Sequence, residues 1–169
     1  SPAIDLTPEF GEREMEGQRF AQLLFKDGTS KILYEPPQDW RVTGGGSLLE
    51  LKPPAELARA EIARDPKESV LPFTEEGLAM LRLQFLAALP KEAQGAALVG
   101  EDTSPVFIRR HPTHVLVADY SLNGTALRIG TIYLNLPEER LRFSLVARRA
   151  DFEPLFKTLL GSLFSWQWE

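Results

Sequence analysis

His111 and His114 are the chain's two histidines, and they lie three residues apart. With Asp119, or with Glu101 and Asp102, they could supply imidazole and carboxylate ligands to a metal ion such as zinc. Pro112 stands between them, so the spacing belongs to a turn and not to a helix face. The spacing fixes no third ligand, and the pattern predicts solvated histidines and no metal site. Ser121 or Ser144, with His114 and Asp119, has the residue types of a Ser-His-Asp triad. No Gly-x-Ser-x-Gly elbow is present, and Asp119 and Ser121 share a face only because strand side chains alternate. Gly44-Gly45-Gly46 lacks the Lys-Ser/Thr of a phosphate loop and precedes no helix, so it reads as a hairpin turn. These patterns assign no catalytic, metal or cofactor residue, and the expectation is a protein that is not an enzyme.

The basic residues are more suggestive. Arg109, Arg110, Arg140, Arg142, Arg148 and Arg149 cluster in sequence. Alternation places Arg142 and Arg148 on one face of a predicted strand, with Arg149 on the other. Guanidinium groups bind carboxylates in a planar, two-pronged geometry, so Arg142 and Arg148 are the candidate contacts for an acidic partner. The alternative is a solvated sheet face with ordinary salt bridges. Trp40, Trp166 and Trp168 could mark an exposed partner site or pack in the core, as buried aromatics commonly do.

The elements that must position these groups are legible in part. Asn123-Gly124 is a strong type I′ hairpin signal between Val115–Leu122 and Thr125–Leu136. In the run 141–149, Leu141, Phe143, Leu145 and Ala147 alternate with Arg142, Ser144, Val146 and Arg148, the pattern of a strand with one buried face. A closing helix from Asp151 to Phe164 carries Phe152, Leu155, Phe156, Leu159, Leu160, Leu163 and Phe164 as one apolar stripe. Asp151 is its expected cap, and Pro154 falls in the tolerant first turn. A second helix begins at Thr74, with Glu75 and Glu76 in its first turn where the helix dipole favours anions. It buries Leu78, Leu81, Phe85 and Leu89 and stops at Pro90. Upstream, Arg19–Phe25 and Lys31–Tyr34 form a hairpin about Asp27-Gly28, and Ser47–Lys52 is a further strand. Residues 55–64 have helical composition but alternate like a strand. Ala96–Glu101 and Val106–Arg110 read as two short strands. Residues 1–17, acidic and rich in Pro and Gly, are expected to be a flexible lead-in, and 18–169 a single domain.

Composition sets wider bounds. The chain has 169 residues, 43% hydrophobic, with a net charge of −5, which suits one domain with a sufficient core. That charge argues against nucleic-acid binding driven by overall charge. No apolar run reaches the length of a membrane span. There is no cysteine, which removes disulfides and thiolate chemistry. The first residue is Ser1; read as a processed end, it predicts export to a compartment such as the periplasm, the alternative being a trimmed end and a cytoplasmic protein.

The order of elements, with Tyr34 through Trp40 (Pro-Pro-x-x-Trp within it), the Asn123-Gly124 hairpin and the closing helix from Asp151 to Trp166, resembles the Mog1/PsbP-like fold, whose members include uncharacterised bacterial proteins. The resemblance spans Arg19 to Trp166. It implies an α+β fold, an antiparallel sheet flanked by helices as an α/β/α sandwich, and it makes residues 55–64 a strand. It also implies a non-enzymatic accessory role, because the family's known roles are mostly in docking and assembly. The expectation is a binding module for a protein partner, with no cofactor. The alternative is a small-ligand or metal-binding domain with a pocket between sheet and helix.

Overall fold

The computed structural model describes residues 3–169. It is not an α/β/α sandwich. Among the described residues, eleven strands build two antiparallel sheets and only two α-helices form. The strands are β1 (Ile4–Met15), β2 (Gln18–Asp27), β3 (Ser30–Tyr34), β4 (Arg41–Gly45), β5 (Leu48–Lys52), β6 (Arg59–Pro66), β7 (Gln94–Ile108), β8 (His111–Leu122), β9 (Thr125–Asn135), β10 (Glu139–Arg148) and β11 (Gln167–Trp168). The helices are α1 (Glu75–Ala87) and α2 (Arg149–Ser162). The smaller sheet runs β1-β2-β3-β11 and the larger β4-β5-β6-β10-β9-β8-β7.

The expected sandwich, implied by the resemblance, gives way to a second sheet built in part from residues expected to be a lead-in. The stretch read as a flexible lead-in is β1, paired with β2 from Ile4↔Asp27 to Met15↔Gln18. Ile4 and Leu6 are fully buried while Asp5 and Thr7 face outward, so the strand alternates beneath an acidic composition. The β2–β3 hairpin joins β1 in a sheet of its own and does not extend the main one. That sheet and α2 together cover one face of the large sheet. Phe25, Tyr34, Phe143 and Trp166 meet at the join, with ring centroids 5.3–5.6 Å from Trp166. The first two residues of the expected lead-in lie outside the described residues.

Residues 59–66 are a strand, β6, as the alternation suggests. The two short strands expected at 96–101 and 106–110 are one long edge strand, β7, interrupted by bulges. Bulges blunt an exposed sheet edge against further pairing.

The helices differ from expectation at their ends. Thr74 caps α1, its hydroxyl accepting from Gly77 N at 3.1 Å. Helix α2 begins two residues early, at Arg149, so Asp151 lies inside the first turn and Pro154 in the interior. There Pro154 removes one intrahelical hydrogen bond. Phe152, Phe156, Leu159 and Leu163 are buried, whereas Phe164 lies outside the stripe and is 76% exposed. The chain leaves α-helical geometry at Leu163–Ser165, a 3-10 turn, and that change of pitch rotates Phe164 away from the core. Gly130 of β9 lies directly beneath α2; a Cβ there would stand 2.7–2.9 Å from the rings of Phe152 and Phe156.

Candidate functional groove

Helix α1 packs on the opposite face of the large sheet and covers only one end of it. Leu81 and Phe85 contact a second buried cluster that includes Leu116, Ala118 and Tyr133. The rest of that face is open and forms a groove of about 820 Å³. The alternation of β10 explains the division. Leu141, Phe143, Leu145 and Ala147 point into the core at 0% exposure, so Arg140, Arg142, Ser144 and Val146 point into the groove.

Leu127, Ile129 and Tyr133 of β9 continue the groove floor, and Tyr120 of β8 adds to it. Phe85 of α1, with Ala88 and Leu89 just past its C-terminal end, forms one wall, with Leu57 on the opposite rim. Leu57 is 53% exposed and has φ of +59°. An apolar side chain displayed there in left-handed backbone is the kind of local strain that clusters at binding sites.

Charged and hydroxyl side chains alternate with these apolar ones, and Asp65, Arg140 and Arg142 form the tightest polar cluster. The Asp65 carboxylate of β6 receives Arg142 Nε at 2.6 Å and Nη2 at 3.0 Å, and Arg140 Nε at 3.0 Å. Arg140 Nη2 also approaches it, at 2.8 Å. Burial pushes the Asp65 carboxyl up, but the Arg142 and Arg140 guanidiniums outweigh burial and hold it below its ordinary value. Arg140 also lies over the Tyr133 ring, 5.2 Å from its centroid. Burial raises the Tyr133 hydroxyl to about 12, so that group stays neutral. Thr131 and Ser144 hydroxyls meet at 2.8 Å.

The sequence-derived candidates fall in different places. Arg142 lines the groove. Arg148 lies on the same strand face but beyond the groove lining, donating to Glu56 at 2.8 Å. Each has a carboxylate partner.

The residues that could have formed a triad are separated. His114 is buried on β8, with Nε2 2.6 Å from Glu101 Oε2 and the Phe73 ring against it. Glu101 is held in turn by Arg82 of α1 at 2.9 and 3.0 Å, and the Arg82 guanidinium keeps that carboxyl below its ordinary value. Asp119 is bound by Arg128 at 2.6 and 3.0 Å. It sits at odd register on β8, opposite in face to His114. Ser144 is bonded to Thr131. Among the described residues no group of three or more His, Asp or Glu side chains is placed to hold a metal ion, and no helix is long and apolar enough to cross a membrane. A second hollow of about 590 Å³ lies between the small sheet and α2. Much of its polar lining is engaged internally, with Arg13 and Gln22 on Glu35 and Ser165 on the Glu35 backbone.

The fold and site together define a two-sheet, mostly β protein with a groove of mixed apolar and charged lining on one sheet face. No family model matches the chain, and no curated protein matches it. Among solved structures it is similar to PA94 of Pseudomonas aeruginosa, a protein of unknown function suggested to be a regulator. The TM-score is 0.51 at 18% identity, over 92% of this chain and 96% of that one. At that identity the likeness concerns the fold alone.

Proposed function

We propose that this protein is a non-catalytic binding module that receives an apolar segment of a protein partner in the groove between α1 and the open face of the large sheet. The observation that carries the reading is the groove itself. Exposed apolar patches mark interaction sites, and this hollow brings together a strip of exposed Leu57 and half-buried Leu89, Leu122, Ile129 and Val146. Here the strip is bounded by a helix wall and a rim that displays Leu57. His114, Asp119 and Ser144 are tied into separate salt bridges or a hydroxyl pair, which supports binding over turnover. The groove volume also falls in the range of small-molecule pockets, so an apolar small ligand is the second reading.

The test is titration of the full chain with a fluorescent Leu/Ala-rich peptide and, separately, with a small apolar dye. The protein-partner reading expects saturable peptide binding that is weakened by Leu57→Asp and by Ile129→Asp. Phe164→Asp, at an exposed site elsewhere, should leave it unchanged. Peptide binding indifferent to both groove substitutions refutes the reading. Dye binding in the groove without peptide binding favours the small ligand. A hydrolase screen with turnover removed by Ser121→Ala refutes the non-catalytic assignment.

A further inference from the structure

The Asp65 cluster says what chemistry the occupant should bring. Two guanidiniums converge on one carboxylate, and among the described residues Asp65 is the only carboxylate that either of them contacts. Arg142 uses Nε and Nη2 on Asp65 and leaves Nη1 unbonded, with its side chain 32% exposed where it lines the groove. Behind it, Arg140 is only 7% exposed, and its Nη1 is buried with no hydrogen-bond partner. By strand register Tyr133, Thr131, Ser144 and Glu61 are the groove-lining neighbours of Arg142, and the apolar Ile129, Val146 and Leu127 follow further along the floor. A buried charge that is incompletely neutralised is costly. Glu61, which also lines the groove, attracts Arg142 through space but forms no ion pair with it. Across the whole groove, the basic Lys52, Arg59, Arg140 and Arg142 outnumber the acidic Glu50, Glu61 and Asp65, against a chain whose net charge is −5.

We propose that the segment received by the groove is apolar but carries one carboxylate, which docks on Arg142 and completes the neutralisation of the Arg140–Arg142 pair. This rests on the groove being the binding site. A carboxylate accepts two parallel hydrogen bonds from a guanidinium, and the charge on both partners strengthens them. It also sets the register of an apolar strip that would otherwise slide along the floor, so the cluster acts as the specificity determinant of the groove.

Two Leu/Ala-rich peptides that differ only in one central residue, Glu or Gln, test this by fluorescence titration against the wild type, Arg142→Gln and Arg142→Lys. The proposal expects the Glu peptide to bind the wild type about tenfold or more tightly, as charge-assisted pairs in apolar sites do. Arg142→Gln should abolish that preference and Arg142→Lys should keep part of it. Circular dichroism and urea unfolding of each variant establish that it is folded. Equal binding of both peptides, lost in each case on Ile129→Asp, would overturn the carboxylate proposal and leave the groove reading standing. No saturable binding of either peptide would overturn both.

Discussion

Replacing Asp65 by Asn probes the groove floor most sharply. The substitution preserves shape but leaves two guanidiniums without a counter-charge, one of them only 8% exposed as a side chain. Removing one partner of a buried ion pair costs about 3–5 kcal/mol. Arg142 is a third exposed, and water screens part of its charge, so the expected loss is about 2–4 kcal/mol. Urea unfolding at neutral pH measures it. The pH dependence supplies an independent check. Asp65 is held below its ordinary value by Arg142 and Arg140 against the opposing effect of burial. Its contribution is therefore complete above the unfolded carboxyl value of about 3.9 and lost as pH falls through the lower folded value. The stability difference between wild type and Asp65→Asn should be constant near neutrality and close below about pH 4. Taking the difference cancels the other salt-bridged carboxylates, Glu35, Glu101 and Asp119, which titrate alike in both proteins. Adding Arg142→Gln to Asp65→Asn should recover part of the loss. A cost under about 0.5 kcal/mol, the range of ordinary surface changes, or a difference that ignores pH, would refute the electrostatic account of the floor.

Gly130→Ala should destabilise by about 1–3 kcal/mol in urea unfolding, because its Cβ would press the stacked Phe152 and Phe156 rings in a core without slack; equal stability would mean that α2 sits further from β9. Leu159→Ala, at a fully buried position of α2, should cost about 2–5 kcal/mol, read as a lower unfolding midpoint, and an unchanged midpoint would contradict the packing of α2. Glu101→Gln removes the carboxylate that joins Arg82 of α1 to His114 of β8, and hydrogen exchange at the amides of Leu81 to Phe85 should accelerate, since the groove wall loses a tie to the sheet; unchanged exchange would show that apolar packing alone holds α1.

Local signals in the sequence were readable where one element settled its own conformation. Asn123 and Gly124 adopt φ of +50° and +80°, the conformation their type I′ signature demands. The alternation of β10 named its buried face correctly, and the Thr74 cap placed the start of α1. Long-range pairing was not readable in this way. The salt bridge from Asp65 to Arg142 joins residues 77 positions apart, and nothing in either neighbourhood signals the other. The groove is assembled from every second residue of several strands, so its apolar character is diluted in each strand by core residues between. The acidic surface of β1 hid the buried Ile4 and Leu6. That concealment turned a second sheet into an expected lead-in, while the α/β/α sandwich was implied by the resemblance in element order, which does not fix how the strands divide into sheets. Arg142 was chosen for its face and does lie in the groove, but its neutralising partner and the buried Arg140 behind it became visible only with the strand order.

The most direct measurement of the central claim is methyl NMR of the full chain during titration with the Leu/Ala-rich peptide carrying one Glu. Binding in the groove predicts that the methyl signals of Leu57, Leu127, Ile129, Val146 and Leu89, all groove-lining, shift together and saturate with one affinity. The core methyls of Leu141 and Leu145 should stay in place. Shifts confined to other surfaces, or no saturable shift at the groove methyls, would contradict the account.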